Sequence, residues 1–293
     1  MTSGDFDRLC DGPLASAIVG LKGARRTAMQ RFGCIMVGAG ALGLVAAFLV
    51  PGLAFKAFIL FFVLVVGYMV ASVPLSRAAR TLKEPALIAI GQARGLSHQA
   101  GSFSADGYDA IHPLFGRPGG RTFRDRFEGD DNGRRFILYE ASLVSGSGKS
   151  RRDVFNGLIF NISRRSVQGE TVVIPDRGLF NFFSPGRGME RVRFEDDPTF
   201  EQGLEVYSTR PDEARALINP VVREQLKAWR SAHGKVIVRL AGDQATVALA
   251  SPGDRFEVGS MFQSIPGRER VRVIWDDLEE ALGLMRQIAG TLG

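Results

Sequence analysis

Between Arg31 and Arg77 the chain carries a single charge, Lys56, and that lysine follows a Pro51-Gly52 break. The break separates two apolar runs, Phe32–Val50 and Ala57–Leu75, each 19 residues long. At ~1.5 Å per residue, a helix of that length crosses a hydrocarbon core of ~30 Å. A helix is the fitting form because it satisfies every backbone hydrogen bond internally where water is absent. The chain is therefore expected to be a membrane protein with a transmembrane helical hairpin at residues 32–75, spans 32–50 and 57–75. A cleavable signal peptide is the competing reading of the first run. Its 31-residue leader is long, and a second apolar run follows almost at once, so that reading is rejected.

The chain holds 37 Lys/Arg against 31 Asp/Glu, for a net charge of +6. Nine of the basic and three of the acidic residues lie in 1–83, leaving 28 of each in 84–293. The whole excess thus belongs to the membrane segment, and no nucleic-acid partner is expected, since that would need a basic stripe on the larger part. Basic residues flank the first span before it and the second after it, with only Lys56 in the turn. By the positive-inside rule both termini face the cytoplasm, in a two-pass arrangement at the cell's inner membrane. Cys34 falls in the first span and Cys10 on the cytoplasmic side, so no disulfide is expected.

Four segments follow from this pattern: a cytoplasmic helical arm at 1–31, the hairpin at 32–75, a second arm at 76–99, and a cytoplasmic domain at 100–293. In the first arm Pro13 suits a first helical turn, with Leu14, Ile18 and Leu21 at helical spacing. In the second, Pro85 is expected to interrupt the helix before a further helical stretch with Leu87, Ile88, Ile90 and Leu96 as its apolar positions. The two arms leave the hairpin side by side and are expected to pack as a short stalk.

From about residue 100, short strand-like runs alternate with Gly, Asp and Pro. Phe136–Tyr139, Leu158–Ile162, Thr171–Ile174 and Leu204–Tyr207 are the candidates. The clearest hairpin joins Lys235–Leu240 to Gln244–Ala250 through Gly242-Asp243, with Val236, Val238 and Leu240 alternating on one arm and Ala245, Val247 and Leu249 on the other. A helix beginning near Thr209, with Asp212 completing a capping box, runs in two pieces to Trp229; another closes the chain, capped by Asp276. Ser145–Arg152 and Phe183–Gly188 read as loops. An antiparallel sheet with interspersed and C-terminal helices makes the fold class α+β.

Several motifs tempt a chemical reading. Gly38-Ala39-Gly40-Ala41-Leu42-Gly43 spells a dinucleotide fingerprint, but no carboxylate stands ~20 residues on, and the region is apolar enough to span a bilayer. Ala39, Gly43 and Ala47 instead form a ridge of small residues for close helix approach, facing Gly67 or Ala71 of the second span or a second copy of the chain. Gly146-Ser147-Gly148-Lys149-Ser150 resembles the end of a phosphate loop, yet its first glycine would fall at Leu143 and a strand follows. His98, His112 and His233 share no ligand spacing, so no metal site is assigned. Asp130-Asp131-Asn132-Gly133 and Glu195-Asp196-Asp197 read as turns. No catalytic residue and no cofactor is assigned.

Taken in order behind a two-span hairpin, a further series is informative. It comprises Pro113-Leu114-Phe115, Tyr139-Glu140-Ala141, Phe155-Asn156-Gly157-Leu158-Ile159-Phe160, Phe194-Glu195-Asp196, Phe200-Glu201, Glu205-Val206-Tyr207-Ser208, Asp212-Glu213-Ala214-Arg215 and Arg255-Phe256-Glu257. This series resembles a bacterial membrane protein family known as domain of unknown function 3137, some members of which carry a galanin-like label. The resemblance implies a membrane location and a cytoplasmic α+β domain, and it brings no activity or site residue. Two departures stand out: Asn156 where a lysine is expected before the glycine, and Arg210-Pro211 before Asp212. From the residues alone, Arg215 is expected to pair with Glu205 or Glu213.

The reading that results is a non-enzymatic, membrane-tethered interaction module. Two alternatives are a membrane-associated enzyme acting on a lipid or peptide, with a pocket near His112 or His233, and a scaffold assembling through Ala39, Gly43 and Ala47.

Overall fold

A computed structural model describes residues 3–100, 103, 105, 107–116, 118–176, 188–251, 253 and 255–292. The chain forms two compact units, Met1–Ile90 with Phe256–Asp276, and Gly91–Arg255 with Asp277–Gly293. The fold class is α+β, with two long apolar N-terminal helices followed by an open antiparallel sheet and further helices.

The first unit opens on α1 (Ser3–Asp11), a short helix within the expected arm 1–31. Gly12–Leu14 then turn, so Pro13 precedes a helix rather than opening one, and α2 runs over Ala15–Phe48. After a four-residue turn, 49–52, that holds Pro51-Gly52, comes α3 (Leu53–Ala93). Pro85 does not interrupt α3, nor does Pro74. Each proline removes a backbone donor and costs ~3 kcal/mol in a helix interior. Burial on both sides of Pro85 offsets that, since Leu82, Ala86, Leu87 and Ile90 are all fully buried.

The small-residue ridge is filled from within the chain. A Cβ on Gly67 would stand 2.5 Å from that of Ala39, and one on Gly43 would stand 2.9 Å from Leu60 Cδ1. The partner of the ridge is thus α3 of the same chain. Only 11% of the most apolar window of α2 and 17% of that of α3 is buried. Neither window is buried as the core helix of a globular protein would be. The unit's third component is the stretch Phe256–Pro266 leading into α8 (Gly267–Leu292). Phe6 meets Trp275 edge-on at 5.7 Å, and Arg268 binds Asp11 at 2.6 Å, tying the start of α8 to α1. Asp276 lies mid-helix and caps nothing; α8 starts nine residues earlier because Val271 and Ile274 extend its buried stripe.

Among the described residues, the second unit is built on seven strands. These are β1 (Ser97–Gln99), β2 (Gly120–Asp131), β3 (Arg134–Ser145), β4 (Arg152–Pro175), β5 (Glu190–Val192), β6 (Leu204–Ser208) and β7 (Val236–Ala250). Asn132-Gly133, both at positive φ, form the β2–β3 turn, which Asp130 closes by accepting from the Gly133 N–H at 2.7 Å. Between β3 and β4 a short turn at Gly148–Ser150 is closed by reciprocal Ser147 and Ser150 bonds. It opens no helix, so the phosphate-loop likeness ends there.

The expected hairpin is present within β7. The Ala250 N–H donates to Lys235 O at 3.0 Å, which requires the strand to double back at Gly242-Asp243, where Gly242 has φ +55°. β4, read from sequence as two strands, wraps this hairpin. Its Gly157–Ser163 pairs with Gln244–Ala250, and its Glu170–Val173 pairs with Val238–Ala241. The register shifts twice between Ser163 and Glu170, where the outer strand rounds the inner tip. β3 flanks the first half of β4 and β6 the second, with β1 and β5 as three-residue edges.

One face of the sheet buries Tyr139, Phe155 and Ile159 against Tyr108 and Ile111 of α4 (Tyr108–Ile111) and Phe115 of the tight turn His112–Phe115. Leu138 and Phe160, pointing oppositely by the two-residue period, are also fully buried. The sheet is thus covered on both faces. Between β5 and β7 lie α5 (Pro198–Glu201), α6 (Pro211–Leu217) and α7 (Pro220–His233). α6 starts from Arg210 with Pro211 in its first turn and no side-chain cap, so the capping box at Thr209 and Asp212 does not form. The Phe183–Gly188 loop reading lies outside the described residues except for Gly188, which is in a turn.

Candidate functional site

A polar concavity of the sheet unit lies beside β5, α5 and the start of β6. It is a depression of about 490 Å³ lined by Asp176, Arg191, Arg193, Phe194, Glu195, Pro198, Glu201 and Gln202. Its construction starts with α5. Asp197 accepts from the Phe200 N–H at 3.1 Å, capping the helix and setting Phe200 in the core. Glu201 then reaches back to accept from the Phe194 N–H at 2.9 Å, and the Phe194 and Phe200 rings meet edge-on at 5.5 Å.

Arg191 sits between two carboxylates, 2.9 Å from Glu205 and 3.4 Å from Glu201. Glu205 is buried, and the Tyr207 hydroxyl donates to it at 3.2 Å. Burial raises the Glu205 pKa above the ordinary value, with Arg191 and the Tyr207 hydrogen bond working against the rise. Behind Phe194 stands Arg223, its guanidinium 4.9 Å from the ring centroid and paired with both Asp196 oxygens at 3.0 and 2.7 Å. That pairing holds the Asp196 carboxyl below its usual range. Lys227 binds Asp197 at 3.1 Å. Glu195-Asp196-Asp197 is therefore more than a turn, being the acidic side of a lattice whose basic side is Arg223 and Lys227.

A second set of motif residues braces β4 where it rounds the β7 tip. Glu213 accepts the Gln168 N–H at 3.0 Å and the Gly169 N–H at 2.7 Å, one on each carboxylate oxygen. These two bonds depress its pKa. Thr209 Oγ1 accepts from the Glu170 N–H, and Ser208 donates to Glu170 O. Glu213 therefore acts as a brace, and Arg215 pairs with Asp212 at 3.1 Å rather than with Glu205 or Glu213. Gly157 is needed because a Cβ there would run into Leu249 O.

A further cavity of about 470 Å³ is lined by Phe103, Ala105, Tyr108, Asp109, Arg121, Thr122 and Phe123. Burial pushes the Tyr108 phenol up to about 12. His112 lies against the Tyr108 ring at 5.4 Å. His98 faces Asp125 at 3.6 Å, and Asp125 takes φ +48° in the β2 bulge. Burial lowers the His233 pKa at the end of α7. The three histidines thus occupy separate places. Among the described residues no group of three His, Cys, Asp or Glu is set to hold a metal ion. Gly38–Gly43 lies inside α2, where no strand-to-helix turn exists to cradle a pyrophosphate.

Arg191, Arg223 and Arg270 escaped the sequence reading. Isolated arginines in a neutral, charge-rich segment carry no spacing signal, and only the fold shows which carboxylates they meet.

Fold and site together define an α+β protein with an apolar two-helix hairpin and a salt-bridged surface depression. Residues 153–289 match the model of a family described as protein of unknown function, DUF3137. No curated protein matches the chain. Among solved structures, the crystal structure of the mycobacterial trehalose monomycolate transport factor A, TtfA, is similar at 14% identity and a TM-score of 0.37, over 68% of this chain and 95% of that one. A likeness of that degree carries no argument about this chain.

Proposed function

We propose that the chain is a two-pass protein of the bacterial inner membrane, with both termini cytoplasmic, whose sheet unit docks a protein partner. The carrying observation is the uncovered apolar belt along α2 and α3. Phe48, Phe55, Phe58, Phe61 and Phe62 are each more than half exposed, and Val37, Leu42, Leu44, Val45 and Met69 stand out beside them. A soluble monomer does not leave so large a continuous apolar surface to water. Acyl chains cover it, and the basic residues Arg31 and Arg77 at its ends suit anionic headgroups on the cytoplasmic side.

For the sheet unit, docking fits the depression better than catalysis does. Glu201 and Glu205 are both committed to Arg191, so neither is poised to move a proton to a substrate. Arg193 and Glu195 are exposed on its lining and offer opposite charges to a partner surface. A photo-crosslinking residue placed at Arg193, in cells expressing the full chain, tests this. The reading expects one discrete adduct, lost with Glu195→Lys and not seen from a crosslinker at Asp243 on the β7 tip. Equal, diffuse adducts from both positions would overturn it.

A further inference from the structure

The stretch Phe256–Pro266, more than 160 residues beyond the second apolar helix in sequence, belongs to the same compact unit as the hairpin. It lacks regular structure, yet most of its carbonyls from Val258 to Ile265 are turned onto two guanidinium groups. Arg270 is 1% exposed and donates to the carbonyls of Val258, Ser260 (2.8 Å), Gln263 (2.8 Å) and Ile265 (3.3 Å). Arg25 on α2 donates to those of Met261 (2.9 Å) and Phe262 (3.3 Å). Six of the eight carbonyls from Val258 to Ile265 are thereby taken up by protein donors.

An exposed loop in water needs no such arrangement, because solvent would satisfy those oxygens. A loop that faces a low-dielectric layer does need it, since each unsatisfied group there costs several kcal/mol. Among the loop's exposed residues, which include Ser260, Gln263 and Ser264, Phe262 is the large apolar one. Phe262 is 44% exposed, and its ring meets Phe32 edge-on at 5.1 Å. Phe32 in turn meets Tyr68, itself 50% exposed, at 5.9 Å. Phe262 therefore continues the apolar belt at the end where Arg31 marks the headgroup level. Aromatic residues are enriched at that level.

We infer that Phe256–Pro266 is a third membrane contact: a loop whose backbone is sealed by Arg270 and Arg25 and which seats Phe262 in the interfacial layer of the bilayer beside Phe32 and Tyr68. The inference rests on the reading of α2 and α3 as spans. It adds that the C-terminal part of the chain touches lipid, and that an arginine bound only to carbonyls keeps it there. Buried Arg270 carries no carboxylate bond among the described residues, so its role is to organise backbone rather than to form an ion pair.

The test uses the full chain with Cys10 and Cys34 replaced by serine. It is reconstituted in phosphatidylethanolamine/phosphatidylglycerol vesicles and spin-labelled singly at Phe262→Cys, Phe62→Cys or Asp243→Cys. Collision rates with oxygen and with a water-soluble nickel chelate report depth. The label at 262 is expected to favour oxygen several-fold over the chelate relative to the label at 243, in the same sense as the label at 62. A label at 262 that matches 243 while 62 stays lipid-exposed overturns the inference and leaves the spans intact. A label at 62 that behaves as aqueous overturns the spans themselves. Arg270→Gln is expected to shift the 262 label several-fold toward the chelate, with the 62 label unchanged. No shift would mean that Arg270 does not hold the loop.

Discussion

Between Val37 and Val73 of α2 and α3 most large side chains point away from the protein, whereas in the sheet unit they point into it. Phe58 is 62% exposed and Phe160 fully buried, although both sit in apolar runs of similar composition. The hairpin is shaped by what surrounds it, and its internal contacts are few and small, such as Ala39 against Gly67. The sheet is shaped by what it encloses, and its turns and strand reversals are fixed by individual polar groups. Equivalent substitutions in the two regions should therefore have unequal effects.

The largest is expected in the sheet core. Phe160→Ala should cost about 3–5 kcal/mol, as for other fully buried aromatics. Urea titration followed by pulse proteolysis would read the loss, while the hairpin stays protease-protected in vesicles. If the hairpin melted together with the sheet, the contrast between the regions would fail. Next comes Gly67→Leu, which forces new side-chain atoms against Ala39 where even a Cβ would stand 2.5 Å away. A cost of about 1–3 kcal/mol is expected from overpacking, seen as a lower thermal midpoint of the helical signal in detergent and no change in the sheet's near-ultraviolet signal.

Glu213→Gln should follow, at about 1–2 kcal/mol, because the amide presents an NH₂ to one of the two backbone donors that the carboxylate satisfied. The same brace sets a pH dependence. The folded-state pKa of Glu213 lies below its ordinary 4.5, so its contribution is complete above that value. It is lost as the pH falls through the depressed folded value. Stability measured across that acid range should fall more steeply for the parent than for the Gln variant; parallel curves would remove Glu213 from the account. The smallest effect belongs to Phe58→Ala, expected within about 0.5 kcal/mol in detergent, since the residue is 62% exposed. A loss comparable to that of Phe160→Ala would show that the belt is packed on protein.

What could be read from the chain beforehand divides along the same line. The hairpin was legible because crossing a bilayer is a demand on composition and length, and one lysine in 45 residues (32–76) meets it visibly. The β7 hairpin was legible because alternation and Gly-Asp are local signals. Pro85 misled because propensity was overridden by the burial of Leu82, Ala86 and Leu87 around it. Asp276 misled because a good capping residue is also tolerated mid-helix once Val271 and Ile274 fix the helix earlier. The depression was not legible at all. Arg191 meets Glu201 and Glu205 only after α5 has turned the chain back, and Arg223 meets Asp196 across 27 residues.

The central claim is that α2 and α3 cross a bilayer with the sheet unit on the cytoplasmic side. It is tested most directly by single-cysteine labelling in spheroplasts with a membrane-impermeant maleimide, using Gly52→Cys in the helix turn and Asp243→Cys on the β7 tip in a chain lacking Cys10 and Cys34. The account predicts that Gly52→Cys labels from outside and Asp243→Cys only after lysis. Labelling of Asp243→Cys in intact spheroplasts, or of neither position until lysis, would contradict it.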